Sequence, residues 1–207
     1  MKIGREIKET WAEIEELQKN GALLSRCVPG DFKLVDFGED GVIRMRFAGL
    51  HKDVREYGEP AYATWVAGDL TAKRHQMHND WFGEYSKSDL RKWLNDELYN
   101  RLPDDLKRII VPVLKRQVAY DADWNCYTDE VVDKIWIPSF AELFEGGYPD
   151  LFTDDESRAM GAFYWLRSAY NYNVFGGVIS SGDYANYSAS NSRALALGFS
   201  SVRQSNP

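Results

Sequence analysis

The spacing of apolar residues changes repeatedly along this chain, and that succession limits the folds open to it. Ile3, Ile7, Thr10, Ile14 and Leu17 recur at steps of four and three with Trp11 beside them, which predicts one amphipathic helix over residues 3–19. Asn20-Gly21 supplies its stop. From Val28 the period becomes two. Phe32–Phe37, Gly38–Gly41 and Val42–Phe47 read as strand, turn, strand, and Ala63–Ala67 as a further strand. The helical period returns at 88–101, where Ser88 and Asp89 can cap a stripe of Leu90, Trp93, Leu94 and Leu98. A second central helix opens at Pro103-Asp104-Asp105 with Leu106, Ile109, Ile110 and Val113 inward, and Pro112 bends or ends it.

Residues 117–134 read as a polar loop, followed by a short strand at Ile135–Pro138 and a helical turn capped by Ser139 and ended by Gly146-Gly147. The last sixty residues read mostly as strand and loop, with Gly161–Ser168 and Arg193–Phe199 the clearest strands. Helices in the middle and strands at both ends predict an α+β fold with antiparallel strands, two central helices and an N-terminal amphipathic helix. The organisation expected is a helix over 1–20 and one domain over 28–207. The helix either docks on its own domain or joins copies of the chain as a homo-oligomer through a two-heptad seam.

Composition narrows the function classes. The 207 residues carry a formal charge of −7, a poor match to the clustered cations that nucleic acid requires. No apolar run approaches the length of a membrane span. Met1–Glu6 lacks the apolar region of a secretory signal, so the expectation from these residues is a cytoplasmic protein. Cys27 and Cys126 form no metal or redox spacing and are expected to be small buried residues.

Aromatic residues make up 14% of the chain, and the tyrosines concentrate late. Ser168–Ser192 holds six Ser, four Asn and four Tyr, and Asp183 is its one charged residue in a chain that is 28% charged. Recognition surfaces favour this mixture, since Tyr gives rigid contact area while Ser, Gly and Asn adapt their hydrogen bonding. The candidate ligand-binding residues are Tyr170, Asn171, Tyr172, Asn173, Asp183, Tyr184, Asn186, Tyr187, Ser188, Ser190 and Asn191.

Spaced motifs add a resemblance. Ser86-Lys87-Ser88-Asp89-Leu90-Arg91-Lys92-Trp93-Leu94-Asn95 and Tyr164-Trp165-Leu166-Arg167-Ser168 resemble the two signatures of an uncharacterised domain family common in gut bacteria and their phages. Pro112-Val113-Leu114-Lys115, Asp133–Ser139 and Ser192-Arg193-Ala194 fill further places of its pattern in order, so the resemblance spans roughly residues 28 to 200. That family is similar to the C-type-lectin-like fold, which includes formylglycine-generating enzymes and the variable proteins of diversity-generating retroelements. The resemblance implies a non-enzymatic ligand-display protein of phage or bacterial origin, cytoplasmic or phage-particle-associated, with variable-looking positions in 168–192. Its partner would be a protein or a glycan, with no cofactor. Alternatives are a structural or assembly subunit of a virion or surface complex, and an unrecognised enzyme of the formylglycine-generating-like fold.

Catalytic and metal signals are sparse. Cys27 and Cys126 do not form the late cysteine pair that formylglycine-generating chemistry needs. His75, His78 and Asp80 make a weak ligand set, and the acidic loop of Asp121, Asp123, Asp129 and Glu130 around Trp124-Asn125 is more readily a solvated loop than a calcium site. Trp93, Trp165, Arg91 and Arg167 read as scaffold, with the arginines expected to pair with a carboxylate such as Asp89 or Asp96.

Overall fold

A computed structural model describes residues 4–79 and 83–202, so Ile3 and Asp80 lie outside it. The chain is a mixed α+β protein built on antiparallel strands. Strands β1 (Phe32–Asp36), β2 (Val42–Leu50) and β3 (Ala63–Ala67) run side by side, and β13 (Gly198–Ser201) pairs with β3. Two short strands, β5 (Ile110–Val111) and β8 (Ile135–Trp136), complete this six-stranded sheet by pairing with β13. A near-terminal strand therefore lies in the middle of the main sheet, clamped by partners from distant parts of the chain. Phe199 of β13 packs beside Trp65 of β3, and Trp11 meets both edge-on at 5.8 and 5.3 Å between ring centroids. Among the described residues no helix is long and apolar enough to cross a membrane.

The N-terminal helix covers Trp11–Lys19 and not the whole of 3–19. Residues before Thr10 run extended and bridge to β1, with the Ile7 amide donating to the Phe32 carbonyl at 2.7 Å. Thr10 and Glu13 form a reciprocal capping box that starts the helix there. Ile7, Trp11 and Ile14 are buried in the chain's own core, so the seam read as a two-heptad interface is occupied from within. Gln18 reaches Ser201 of β13 at 3.0 Å, and Arg108 meets Glu15 at 2.7 Å.

Two central helical segments are present. The run 89–101 starts from Ser88, whose hydroxyl accepts from the Arg91 amide, and Asp104–Ile109 forms the second. Ile110 and Val113 belong to strands, because Pro112 closes the helical path. The largest departure from expectation is 117–134. It is not a loop but part of a long hairpin of β6 (Val113–Tyr120) and β7 (Cys126–Asp133), paired in register from Val113↔Asp133 to Tyr120↔Cys126. Arg193–Phe199 is likewise not one strand: β12 (Ser192–Arg193), which pairs with β4 (His75–Gln76), and β13 lie on either side of a non-strand stretch.

The hairpin escapes the period-two pattern because two inward positions are polar. Lys115 is 2% exposed, and its ammonium donates to Asp53 (2.5 Å), Glu142 (3.0 Å) and the Tyr148 hydroxyl (3.1 Å). It sits 3.4 Å from the centroid of the Trp136 ring. Arg167, 1% exposed, donates to Glu142 (2.7 Å), to Gln117 (2.9 Å) and to the Ile137 carbonyl. Gln117 donates on to Asp129, which also accepts from the Ser86 amide. Asp53 accepts from Thr64 of β3 and Ser200 of β13. Burial alone would raise the Glu142 carboxyl, but Arg167 and Lys115 overcome it and hold the group well below the ordinary carboxylate range. Arg91 pairs with Asp133 at 2.7 Å, so neither Asp89 nor Asp96 is the partner of these arginines. Burial pushes the Asp133 carboxyl up to about 6 against the pull of Arg91.

Removing one member of a buried charge network strands the others, so Lys115→Met is expected to cost about 3 kcal/mol in chemical denaturation. Asp133 gives a pH signature. Its proton binds near pH 6 in the folded chain and near pH ~4 in the unfolded one. The folded chain therefore holds more protons in that window, and stability gains as pH falls through it. Between pH 7 and 5 the native chain should gain roughly 1 kcal/mol relative to Asp133→Asn, read as the difference between their unfolding free energies.

Candidate functional site

A three-stranded antiparallel sheet, β9 (Tyr164–Asn171), β10 (Val174–Val178) and β11 (Tyr184–Ser188), carries the tyrosine-rich segment, with β11 at its edge. Successive side chains of β11 alternate between faces, so Tyr184, Asn186 and Ser188 share one face and Tyr187 lies on the other. Tyr184 stands edge-on to Phe140 (5.1 Å) and Phe144 (6.0 Å) of the Phe140–Phe144 helix. Tyr187 stacks on Phe163 (5.8 Å, 20°) and meets Trp165 edge-on (6.1 Å). Gly176 and Gly177 make room for the two rings. A Cβ at Gly176 would stand 2.9 Å from the Tyr184 ring, and one at Gly177 would stand 3.2 Å from the Tyr187 ring. Both tyrosines are partly buried against the core, so they are anchors of the sheet and not free contact residues.

The exposed aromatic surface lies at the other end. Tyr172-Asn173 forms the two-residue loop between β9 and β10. Tyr172 lies 5.9 Å from Trp124, which sits at the tip of the β6–β7 hairpin and is 62% exposed. Asp121 builds that tip, its carboxylate accepting from the Asp123 and Asn125 amides and the Asn125 side chain, each at 2.9 Å. Trp124 adopts φ 66°, a left-handed conformation that few non-glycine residues take. Gly83 separates the two hairpins: a Cβ there would stand 2.8 Å from the Tyr120 carbonyl oxygen and 3.1 Å from that of Asn171.

Tyr170, 53% exposed, adds to this surface. Burial pushes the Tyr184 phenol up, with Tyr170 and Tyr120 close enough to contribute. Burial and the neighbouring Cys126 thiol push the Tyr120 phenol up in the same way. Cys126 is exposed, contrary to the expectation for both cysteines, while Cys27 is buried.

The eleven residues singled out from sequence therefore do not form one face. Tyr170, Asn171, Tyr172 and Asn173 gather at the hairpin tips. Ser188, Ser190 and Asn191 are near them, because the Ala189 amide donates to the Asn173 carbonyl and the two serine hydroxyls meet at 3.0 Å. Asn186 is exposed on the edge strand. Asp183 is at the opposite end, closing the β10–β11 turn with Ser181. Trp124 and Tyr120 join the surface although composition of the 168–192 segment did not point to them. Their signal was the Asp121-x-x-Trp124-Asn125 turn.

No metal centre is assembled by the acidic loop. Asp129 faces Gln117, Glu130 pairs with Arg116, and Asp121 is taken up by its own turn. His75 and His78 turn to different carboxylates, Asp40 at 3.0 Å and Asp89 at 2.8 Å. Among the described residues no group of three or more His, Cys, Asp or Glu could hold a metal ion.

Fold and surface together define an α+β protein with an aromatic patch carried on hairpin tips. Residues 64–203 match the family described as domain of unknown function DUF6273, and the chain belongs to that family. No curated protein and no solved structure matches it.

Stability separates anchors from surface. Tyr184→Ala and Tyr187→Ala should each cost about 2 kcal/mol in urea denaturation. Tyr170→Ala and Trp124→Ala should stay within about 0.5 kcal/mol of the parent.

Proposed function

We propose that this chain is a non-enzymatic binding protein that contacts a protein or glycan ligand through Trp124, Tyr170 and Tyr172. The observation behind this is the meeting of aromatics from two separate hairpins, exposed Trp124 and half-buried Tyr172, at 5.9 Å between ring centroids. Exposed large aromatics held on a rigid frame are the anchors that recognition surfaces use. Trp124 is presented in a left-handed conformation that costs roughly 1 kcal/mol, and such strain concentrates at functional sites. The titratable cluster of Lys115, Asp53, Glu142 and Tyr148 is buried and internally bonded, which favours binding over catalysis.

A C-type-lectin-like fold is part of this proposal. It is supported by the ordered motifs and by the antiparallel strands that end in hairpins at the patch. Diversification of the segment 168–192 is a further part, supported by its Tyr, Asn and Ser content. Gly176, Gly177 and Phe175 are enclosed and so fixed on this reading, which leaves variation to the tips and to exposed positions such as Asn186.

Screening the full chain on glycan and peptide arrays, beside a Trp124→Ala/Tyr170→Ala/Tyr172→Ala variant, tests the patch. Ligands recovered with the parent should bind the variant at least about tenfold more weakly, while its melting temperature stays within about 3 °C. Ligands that bind both equally would place recognition elsewhere.

A further inference from the structure

The face of the sheet that holds Tyr187 carries a second feature, separate from the aromatic patch. A cavity of about 290 Å³ is lined by Arg74, Gly161, Ala162, Phe163, Ser180 and Arg193. Its two arginines stand out in a chain of net charge −7. Most buried or half-buried cations here face a carboxylate, as Lys115, Arg91 and Arg167 do. Among the described residues neither Arg74 nor Arg193 has a carboxylate partner.

The Arg193 guanidinium is held in place by rings instead. It lies 4.2 Å from the Tyr187 centroid and 5.8 Å from that of Phe163, and it donates to the Ser192 carbonyl at 2.9 Å. Its Nε is buried and meets no acceptor in the protein. Stacking of this kind orients the planar fork before any ligand arrives, so less entropy is lost when it binds. Phe163 is 42% exposed and stacked from behind by Tyr187, which gives the cavity a flat apolar wall. Ser180 and the Gly161–Ala162 backbone supply polar groups without negative charge.

We infer that this cavity binds a small ligand bearing an oxyanion on a ring-sized body. The oxyanion would be a carboxylate, a sulfate ester or a phosphate ester. Arg193 and Arg74 take the oxyanion as charge-assisted donors, and the body lies against Phe163. The volume suits one monosaccharide-sized group and is too small for a longer chain to be enclosed.

Calorimetric titration of the full chain tests the inference with four probes: N-acetylneuraminic acid, galactose 6-sulfate, glucose 6-phosphate and neutral galactose. At least one anionic probe should saturate with Kd below about 5 mM, and neutral galactose should not. Which anion binds identifies the oxyanion. Arg74→Gln, at an exposed position, should weaken that probe about tenfold with an unchanged melting temperature. Arg193→Lys keeps the charge but loses the fork, and should weaken it about fivefold or more. Failure of every anionic probe to saturate, equal binding of neutral galactose, or an Arg74→Gln variant with parental affinity would overturn the proposal. Loss of Trp124 should leave this binding intact, which distinguishes it from the aromatic patch.

Discussion

A single ammonium under a tryptophan ring organises this protein. Lys115 lies between Trp136, Glu142 and Tyr148, all from the segment 136–148, and Asp53 from far earlier in the chain. Asp53 ties the group to β3 and β13 through Thr64 and Ser200. Glu142 ties it to Arg167 of β9, and Gln117 extends the chain of bonds to Asp129 of β7. Gly198 is needed beneath the ring, since a Cβ there would stand 2.2 Å from Trp136. Such a network is not a cheap source of stability, because the desolvation of each charge nearly offsets the attraction. What it supplies is specificity. Apolar contacts tolerate sliding, whereas an ammonium with two carboxylates and a phenol accepts one register of β6 only.

That network also explains which parts of the fold could be read from residues alone. The strands β1, β2 and β3 and the helices at 89–101 and Phe140–Phe144 follow ordinary apolar periods and standard caps. The β6–β7 hairpin does not, because Lys115 and Gln117 occupy inward positions where a period of two predicts apolar residues. A buried lysine looks like a surface lysine until its partners are known, and Asp53 and Glu142 are remote in sequence. The N-terminal helix fails in the opposite direction. The spacing of Ile3 and Ile7 continues a helical period that the Thr10–Glu13 capping box interrupts, and the local cap prevails over the period. The motifs Leu90-Arg91, Val113-Leu114-Lys115 and Leu166-Arg167-Ser168 were legible as a set, but their common purpose was visible only when Arg91, Lys115 and Arg167 were seen to meet buried carboxylates.

Composition alone could find the tyrosine-rich segment but could not sort it. Strand alternation does the sorting. On β11 it sends Tyr184 and Tyr187 to opposite faces, each over a glycine of β10 and each against aromatic neighbours. Two of the four tyrosines thus become packing, while exposed Tyr170 and half-buried Tyr172 remain at the tip, where Tyr172 meets Trp124 of the β6–β7 hairpin. The candidate site was half legible for this reason: its tyrosines lie in the conspicuous segment, while Trp124 lies in a stretch whose strand character was concealed.

The buried network and the exposed patch are mechanically one object. Both hairpins that present the patch have their inner ends in the network, β6 through Lys115 and Gln117 and β9 through Arg167. Gln117 bonded to Arg167 is a direct link between the two. Ser168, next in β9, accepts from the Phe140 amide and so fixes the helix whose rings support Tyr184. Displacement of β6 relative to β9 would break bonds to charged, fully buried groups, at a cost of several kcal/mol. The outer ends of the hairpins are thereby held at a fixed separation, bridged by Gly83. Exposed Trp124 and half-buried Tyr172 stand as a preformed pair, and a ligand that meets them does not have to order the strands that carry them.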